Sequence, residues 1–479
     1  MSVSDLQSRL PLYQTQLNWN ELWSAYPVPD VFTQTVFTWS RDRIRALQNQ
    51  RFLETVERGW KNPFYRERWS RAGLEEADIA SLDDIAKLPT YNSEDVKTDQ
   101  QEHAPFGRLH NLAAGDLAKT PIKVHTSGGT TGKPRAILFS PYEWEAQAIN
   151  SARCLYMQGG RPGDVIQIPA TCSLANLGWG MYKACHDYLG IMPVTTGAGT
   201  VTSSLRQLQL AFEFGTNIWV SFPEYLTVLA KVCRDELKRD VRELGTKFIS
   251  TFLGPDTEVR LRAQLEGLYG CPVYDQYGAN ELGGGASECM AKSGLHVMED
   301  MVYLEVVDTE TGQAVPDGQT GNLVATVFFR HIPPVIRYNL RDLSRIVSTE
   351  RCVCGGCFKR MDHFLGRSDD MIKIRGVNIY PMACLSAVKA DARTTGEWIC
   401  VATRHQTEGV IRDELVIRVE VKNSAGGTEG LADQLGHRLQ SDLGIKVMVD
   451  LVEEGSLAPV TGVGREGKAK RLLDLRQKL

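Results

Sequence analysis

"HTSGGTTGKPRAILFSPYEW" occupies residues 125–144 and joins a loop of glycine, hydroxyl residues and lysine to an apolar run typical of a strand. Glycine lets the backbone turn its N–H groups towards an anion at close range. The hydroxyl groups and the Lys133 ammonium add further donors. A flexible surface turn is the alternative, but a loop this dense in Gly, Ser and Thr, placed between two strands, favours the binding of a polyphosphate.

The loop does not match the phosphate loop of P-loop NTPases. That motif needs Gly-x-x-x-x-Gly-Lys followed by Ser or Thr, whereas Pro134 follows Lys133 here. Proline has no N–H to donate, and it biases the preceding residue towards extended geometry. The sequence therefore predicts that a strand, and not a helix, follows the loop directly.

Composition excludes several classes of protein. The 479 residues carry a formal net charge of −4, and we find no block of like charge and no long apolar run. We therefore expect neither a nucleic-acid partner nor a membrane span. The first thirty residues lack a signal-peptide pattern, and the 11 cysteines are scattered. Reduced thiols in a cytoplasmic protein are the expectation.

The pattern of apolar runs predicts an α/β protein. Residues 1–120 are rich in charge, Leu and Trp with helical spacing. Within 121–365, short apolar runs alternate with longer mixed stretches, which is typical of alternating strands and helices. After Gly366 a smaller set of strands and one amphipathic helix follow, and we assign 366–479 to a separate α+β domain.

Five separated stretches resemble the adenylate-forming superfamily of acyl-CoA synthetases and adenylation domains. They are TSGGTTGKPR (126–135), YDQYGANELG (274–283), YNLRDLSRI (338–346), LGRSDDMIKIRGVNIYP (365–381) and GREGKAKRLLDLR (464–476). Asn280 stands where the superfamily usually has threonine. SECMAKSGLHVMED (287–300) and RCVCGGC (351–357) are similar to the phenylacetate–CoA ligase branch, whose members activate aromatic carboxylates.

This resemblance implies both a fold and a reaction. The fold would be a large N-terminal adenylate-forming domain of mixed sheets and helices plus a small mobile α+β C-terminal domain. The reaction would be ATP-dependent activation of an aryl or arylacetic acid through an acyl-adenylate, and then transfer to coenzyme A. Alternatives are another acceptor or acid, namely a carrier-protein thiol, an amine or nitrite used for diazotisation, or a non-catalytic binding protein. A homodimer is common in this branch.

The resemblance also implies roles for individual residues. Lys468 would act on the α-phosphate and the substrate carboxylate, Glu281 would bind Mg²⁺, and Lys133 would hold the outer phosphates. Asp369 would be the hinge of the C-terminal domain. The ATP/AMP-binding residues would be Thr126, Ser127, Gly128, Gly129, Thr130, Thr131, Gly132, Gly254, Pro255, Asp256, Asp275, Gln276, Tyr277, Gly278, Asp342 and Arg367. Taken singly, Asp342 could instead form a surface ion pair, Glu281 could cap a turn and Lys468 could be solvated.

The acid pocket departs from its relatives. We expect PATCSLANLGWGMYKACHDYLG (169–190) to form one wall through Ser173, Asn176 and Trp179, where relatives usually show an aromatic-rich run followed by Thr-Gly-Gly. Tyr225, Gly278 and Ala279 would form another wall that leaves room for a flat ring. Asn176 would hydrogen bond to an amino or hydroxyl group on the ring, or would pack between helices.

A cysteine knuckle at 352–357 predicts a metal site. Thiolates at this spacing suit tetrahedral zinc. The branch resemblance places Cys289 and His296 nearby, so the preferred ligands are Cys289, His296, Cys352 and Cys354, with Cys357 as a rival. Four protein ligands leave no open position, which indicates a structural role. A cysteine-rich loop without metal is the alternative.

Overall fold

The computed structural model describes residues 11–127, 135–254, 260–370, 372–374, 377–407, 410–462 and 470–476. The chain forms two compact units. Unit 2 comprises Gly254–Ala263, Arg341–Leu343 and Phe364–Leu479, and unit 1 comprises the remainder.

The N-terminal part of unit 1 is helical. Ser40 caps the longest helix by accepting a hydrogen bond from the Arg43 N–H, and Asn62 caps the next helix, whose first residue is Pro63. The α-helices are α1 Leu12–Thr15, α2 Trp19–Ala25, α3 Pro29–Gln34, α4 Arg41–Lys61, α5 Pro63–Arg71, α6 Ser93–Glu102 and α7 Gly107–His110. Short 3₁₀ helices lie at Val36–Thr38, Glu76–Asp78, Leu82–Lys87 and Ala114–Ala118. The helical spacing that we found within residues 1–120 thus includes a 3₁₀ turn at Val36–Thr38 that is followed by α4.

A hairpin carries the glycine-rich loop. Its strands are β1 Lys123–Ser127 and β2 Arg135–Phe139, which pair antiparallel with Ser127 opposite Arg135. A strand follows Pro134 directly, as the sequence predicts. The loop residues between the two strands, 128–134, lie outside the described residues.

A nine-stranded mixed sheet dominates unit 1. Its strands are β3 Val165–Gln167, β4 Met192–Val194, β5 Ile218–Val220, β6 Phe248–Thr251, β7 Val273–Ala279, β8 Gly284–Ser287, β9 Leu295–Val297, β13 Ile346–Ser348 and β14 Arg360–Met361. They lie in the order β13-β14-β9-β8-β7-β6-β5-β3-β4. The run from β4 to β7 is parallel, and the run from β7 to β13 is antiparallel.

Helices precede and connect the parallel strands, as in other α/β sheets. They are α8 Pro141–Met157, α9 Asn176–Lys183, α10 Ser204–Phe214, α11 Pro223–Asp235 and α12 Arg260–Tyr269; a π-helix at Ala184–Leu189 continues α9, and 3₁₀ helices lie at Val241–Leu244 and Asn280–Leu282. Ser140 and Glu143 form a capping box at the start of α8. This helix is buried along most of its length.

A second sheet has the order β10-β11-β12-β15. Its strands are β10 Val302–Val307, β11 Gly321–Val327, β12 Val335–Ser344 and β15 Gly366–Arg367. The end of β12 belongs to unit 2, where Asp342 and Leu343 pair with Arg367 and Gly366.

Unit 2 has an α+β core. Its strands are β16 Ile372–Ile374, β17 Val377–Ile379, β18 Thr394–Thr407, β19 Val410–Val421, β20 Met448–Glu453 and β21 Leu472–Asp474; its helices are α13 Cys384–Lys389, α14 Leu431–Leu443 and α15 Ala458–Thr461, with a 3₁₀ helix at Pro381–Ala383. The sheet order is β20-β19-β18-β21, and β16 pairs with β17. Leucines at 431, 435, 439 and 443 bury one face of α14 against this sheet.

The predicted α/β class with a smaller α+β unit is confirmed. The domain boundaries that we drew from the sequence stay predictions. In the described part of the chain, no helix is long and apolar enough to cross a membrane.

Candidate active site

Several predicted site residues of unit 1 lie at or beyond the carboxyl ends of parallel strands in the nine-stranded sheet. The carboxyl ends of parallel strands lie at the same edge, where open α/β sheets bind ligands. The segment with Ser173 and Asn176 follows β3, the segment with Tyr225 follows β5, and Gly278 and Ala279 end β7. The sheet topology therefore brings together segments that are far apart in sequence.

The segment after β3 contacts the strand that leads into the glycine-rich loop. The Leu174 carbonyl accepts hydrogen bonds from the Thr126 N–H, at 3.0 Å, and from Nδ1 of His125, at 3.2 Å. Thr126 and the backbone of Ser127 thus lie beside the predicted acid pocket. Gly128, Gly129, Thr130, Thr131, Gly132 and Lys133 lie outside the described residues.

Glu281 lies in the 3₁₀ turn that follows β7, and its carboxylate has two partners. Arg135 donates through Nη2 to Oε1, and the Tyr338 hydroxyl donates to the same oxygen at 3.1 Å. Arg135 is the first residue of β2, and Tyr338 lies in β12. The sequence indicated Glu281 as a metal ligand, but it did not indicate these partners, which lie 146 and 57 residues away.

Asp275, predicted to enclose the adenine, is buried and binds protein groups. Its Oδ1 accepts the Leu253 N–H at 2.8 Å, and its Oδ2 lies 2.6 Å from Nδ1 of His363. Gln276 donates through Nε2 to the Ser250 hydroxyl on the neighbouring strand. Sequence reasoning missed His363, for which no local pattern gives a signal. Asp275 therefore fixes the segment after β6 and orients a histidine.

Of the other residues predicted to enclose the adenine, the structure describes some and not others. Tyr277 is buried within β7. Gly254 belongs to unit 2 and has a φ of +70°, which favours glycine. Pro255 and Asp256 lie outside the described residues.

Unit 2 brings Asp342, Arg367 and Asp369 together. Arg367 faces Asp342 across the β12–β15 pairing, and its Nη1 donates to Oδ1 at 2.8 Å. The same guanidinium donates to both carboxylate oxygens of Asp369, at 2.8 and 2.7 Å. Bidentate pairs of this kind are geometrically specific. Arg367 thus links the predicted ribose-binding carboxylate to the predicted hinge residue.

Asn176 is paired with another amide. It donates to Oε1 of Gln147 at 2.8 Å and accepts from Nε2 of Gln147 at 2.9 Å. A Cβ on Gly180 would lie 3.0 Å from that Nε2, so the residue at 180 must stay small. This is the packing role between helices that the sequence left open; a role towards a substrate stays a prediction.

Trp179 and Ser173 form the outer side of the same segment. The Trp179 indole donates to the Ser173 carbonyl at 2.9 Å. The Lys123 ammonium lies 4.1 Å from the centre of the Trp179 ring, which is a cation–π distance. Ser173 is exposed and Trp179 is half-buried.

Aromatic rings line the ends of β5 and β6. Tyr225 is anchored through its hydroxyl, which lies 3.0 Å from the Ser204 hydroxyl and accepts Nε2 of Gln207 at 2.9 Å. Phe222 and Phe252 pack with ring centres 5.7 Å apart, and a Cβ on Gly278 would lie 4.0 Å from the Phe252 ring. The sequence analysis did not select either phenylalanine, although each lies within two residues of the end of a strand. Phe252 thus packs against Phe222 and borders Gly278.

The four preferred metal ligands converge in unit 1. One ligand atom from each of Cys289, His296, Cys352 and Cys354 lies within 4.8 Å of all the others. The Sγ atoms of Cys289 and Cys352 are 3.9 Å apart, and Sγ of Cys354 is 3.5 Å from Nε2 of His296. Zinc–sulfur bonds of about 2.3 Å in a tetrahedron place the sulfurs about 3.8 Å apart. The donor set and its spacing fit zinc.

The rival ligand Cys357 points elsewhere. Its Sγ lies 3.6 Å from the Thr38 carbonyl, and its N–H donates to the Phe37 carbonyl at 2.7 Å. Through these contacts, the knuckle joins the N-terminal helices to the antiparallel end of the large sheet.

Hydrogen bonding with Cys354 and with His296 lowers the pKa of Cys289 to about 4, which favours the thiolate that metals bind.

Lys468 lies outside the described residues. The segment that follows it resumes at Lys470, whose N–H donates to the Thr461 carbonyl at 2.8 Å. β21 then pairs parallel with β18 in the sheet of unit 2.

Comparison with characterised proteins shows close relatives across most of the chain. A phenylacetate-coenzyme A ligase of Aromatoleum evansii is 32% identical over 454 residues, which cover 92% of this chain and 96% of that protein. The protein of the same name from Thermus thermophilus is also 32% identical, over 92% of this chain and 98% of that protein. Phenylacetate-coenzyme A ligase of Escherichia coli is 30% identical, over 92% and 96% respectively.

Solved structures agree with this relationship. A crystal structure of 2-hydroxyisobutyryl-CoA ligase in the postadenylation state, in complex with 2-HIB-AMP, is 29% identical with a TM-score of 0.78, and covers 92% of this chain and 91% of that one. An anthranilate CoA ligase in complex with anthranoyl-AMP is 17% identical with a TM-score of 0.53, over 69% and 63%, and shares the fold. The family model of the AMP-binding enzyme C-terminal domain matches residues 376–476.

Proposed function

Because the chain belongs to the phenylacetate–coenzyme A ligase family of adenylate-forming enzymes, we propose that it activates an aryl or arylacetic acid and transfers the acyl group to coenzyme A. The chain is an AMP-forming acid–thiol ligase with an α/β adenylate-forming fold. One observation carries the proposal for an aromatic acid, namely identity of 32% to phenylacetate-coenzyme A ligases over 92% of the chain.

The reaction has two half-steps. In the first, a carboxylate oxygen of the acid attacks the α-phosphorus of ATP, the bond to the bridging oxygen breaks, and pyrophosphate leaves. In the second, the coenzyme A thiol, as its thiolate, attacks the carbonyl carbon of the acyl-adenylate, the bond from that carbon to the bridging anhydride oxygen breaks, and AMP leaves with this oxygen. Positioning and neutralisation of charge supply most of the catalysis in phosphoryl-type transfers.

The chain supplies groups for the first half-step. The glycine-rich loop 126–133 would donate backbone and hydroxyl hydrogens to the β- and γ-phosphates, and Lys133 would add a charge. Glu281 would hold Mg²⁺, a cation that prefers carboxylate and phosphate oxygens and that neutralises phosphate charge when bound. Asp342, oriented by Arg367, would accept hydrogen bonds from the ribose hydroxyls. Lys468 would stabilise the charge that develops on the α-phosphate.

The second half-step needs a different arrangement of groups. We propose that unit 2 turns about Asp369, so that Lys468 leaves the α-phosphate and a thiol gains access. The related 2-hydroxyisobutyryl-CoA ligase, which is 29% identical, has been solved in a postadenylation state and in a thioesterification state with coenzyme A. Asp369 forms ion pairs with Arg367 and Arg341, and rotation about it would exchange these contacts.

The acid pocket favours a flat apolar group. Phe222, Phe252 and Gly278 lie at the ends of three neighbouring strands, and the Tyr225 hydroxyl is occupied by Ser204 and Gln207. An aromatic ring buries its faces against such side chains. These contacts support an aryl or arylacetic acid.

We also propose a structural zinc ion at Cys289, His296, Cys352 and Cys354. Closed sites of cysteine and histidine stabilise folds and do not take part in catalysis. When bound, the ion would tie the loop after β8 to the loop after β13.

The experiment is a pyrophosphate-release assay on a panel of aryl and arylacetic acids, with and without coenzyme A. We expect release with at least one aromatic acid, and an acyl-CoA product by mass spectrometry when coenzyme A is present. Release of pyrophosphate with an aromatic acid but no acyl-CoA would point to a carrier-protein thiol or an amine as acceptor. Release with nitrite alone would point to diazotisation. If no acid in the panel releases pyrophosphate, the proposal for an aromatic acid is wrong.

A further inference from the structure

We propose that Arg135 and Tyr338 are positioning residues that orient the Glu281 carboxylate towards the magnesium ion of the nucleotide. This inference rests on the proposed role of Glu281 as the magnesium ligand, and it adds two residues to which the sequence motifs assign no part. The residues that hold a ligating carboxylate are a major determinant of metal affinity.

The geometry around Glu281 is asymmetric. In the described part of the chain, both hydrogen bonds to this carboxylate go to Oε1, one from Arg135 and one from Tyr338 at 3.1 Å. Both donors hold the same oxygen, so among the described residues Oε2 accepts no hydrogen bond and is the oxygen available to a cation. A metal ligand that is oriented before binding loses less conformational entropy when the metal binds.

Contacts with Tyr91 fix the backbone and the ring of Tyr338, and so the position of its hydroxyl. The Tyr91 N–H donates to the Arg337 carbonyl at 3.3 Å, and the Asn339 N–H donates to the Tyr91 carbonyl at 2.7 Å, so Tyr91 brackets Tyr338 through the backbone. The two tyrosine rings also pack edge to face at 5.1 Å.

Arg135 couples the carboxylate to the phosphate loop. It is the first residue after the 128–134 segment, its side chain is 8% exposed, and the side chain of Glu281 is 15% exposed. A charge-assisted hydrogen bond in such a shielded place is stronger than one at the surface. Glu281 and Arg135, the residue that directly follows the predicted phosphate-binding segment, are therefore held together although 146 residues separate them.

A buried cation lines the same cavity as this pair. Arg330 is fully buried, packs 4.1 Å from the centre of the Phe139 ring, and lines a small cavity together with Arg135, Glu281 and Tyr338. Its nearest carboxylate is Glu143, at 3.8 Å. Arg330 is therefore an alternative cationic partner for the Glu281 carboxylate, and loss of a donor to Oε1 should let the carboxylate turn towards it.

The test compares Arg135→Met, Tyr338→Phe and Tyr91→Phe in the full chain. Tyr91→Phe is the matched control, because it removes a buried hydroxyl of the same aromatic cluster that pairs with Tyr65 and not with Glu281. Binding of Mn²⁺, a spectroscopic substitute for Mg²⁺, is followed by electron paramagnetic resonance in the presence of ATP and without any acid. The Mg²⁺ dependence of pyrophosphate release is measured alongside.

We expect Arg135→Met to weaken Mn²⁺ binding about 10- to 100-fold, and Tyr338→Phe to weaken it towards the lower end of that range, as for other partners of ligating carboxylates. Tyr91→Phe should bind Mn²⁺ as the unmodified protein does. Tyr338→Phe removes one oxygen atom only, so it keeps the test decisive if Arg135→Met does not fold.

Two results would overturn the inference. Unchanged Mn²⁺ binding by Tyr338→Phe would show that its hydroxyl does not orient the ligand. Tighter binding by Arg135→Met would show that the guanidinium competes with the metal for Glu281. Either result, together with normal acid-dependent pyrophosphate release by the unmodified protein, would leave the proposed function intact. An unmodified protein that binds Mn²⁺·ATP but activates no acid would instead contradict the function and not the positioning role.

Discussion

Gln147 in α8 and Asn176 at the start of α9 form hydrogen bonds with each other in both directions, at 2.9 and 2.8 Å. Both side chains are buried. A buried amide that loses its partner carries the full cost of desolvation. This pair therefore fixes how α9, which carries the predicted wall of the acid pocket, packs on α8.

Replacement of Asn176 by Ala should destabilise the protein by about 1–3 kcal/mol, because it leaves both polar atoms of Gln147 without that partner. Urea denaturation at neutral pH measures the loss. The double variant Gln147→Leu with Asn176→Leu should recover part of it, since two apolar groups replace two polar ones. If Asn176→Ala instead raises KM only for acids with a ring amino or hydroxyl group and leaves stability unchanged, the amide acts on the substrate.

The metal site can be tested with two cysteines of the same knuckle. Cys352→Ser should lower the zinc content of the purified protein and its Tm, because Sγ of Cys352 lies 3.9 Å from that of Cys289 within the ligand group. Cys357→Ser is the matched control, since its Sγ faces the Thr38 carbonyl. Elemental analysis and thermal denaturation provide the measurements. Equal zinc loss in both variants would mean that the ligand set includes Cys357.

Lys468→Ala should slow acid-dependent pyrophosphate release by at least about 100-fold, because the charge on the α-phosphate would lose its cation during attack. Formation of acyl-CoA from a supplied acyl-adenylate should change little. Lys470→Ala is the control, as this lysine is exposed and lies two residues further on. Adenylation by Lys468→Ala at the unmodified rate would remove this lysine from the proposed mechanism.

Acid should destabilise unit 1 through a buried histidine. Burial lowers the pKa of His110 to about 4, whereas the unfolded chain titrates near 6.5. The unfolded state thus binds the proton first, so stability falls as pH drops from about 6.5 towards 4. Between pH 7 and 5, His110→Gln should lose about 1–2 kcal/mol less than the unmodified protein does. Urea denaturation at pH 7 and at pH 5 measures the stability of both proteins. If His110→Gln and the unmodified protein lose the same stability between these pH values, His110 is not the group responsible.

Local patterns identified most elements of the fold. The strands after residue 122 and the helix α14 follow from short apolar runs and from leucine spacing, because backbone conformation depends strongly on neighbouring residues. The strand directly after Pro134 follows from the restriction that proline places on its neighbour. The helical spacing did not separate the 3₁₀ turn at Val36–Thr38 from α4, which follows it.

Contacts between distant residues were not predictable in the same way. The motif indicated Asp275, but its partner His363 comes from a loop 88 residues further along the chain. The choice between Cys354 and Cys357 depends on how the knuckle packs against Phe37 and Thr38. No fixed number of residues between the two partners signals such a contact in a single sequence, because the contact arises from the packing of whole elements.

The amino-acid sequence alone established the α/β class, the ligase family by resemblance, and the candidate residues Glu281, Asp342 and Cys352, since each belongs to a short motif whose residue types suit one chemistry. The tertiary structure decided what surrounds them. Sheet topology brings Arg135 and Tyr338 onto one oxygen of Glu281 and pairs Asn176 with Gln147. The physical reason is that the chemical character of a side chain is visible from the residue type alone. The orientation of that side chain depends on buried contacts, which form only when remote segments pack together.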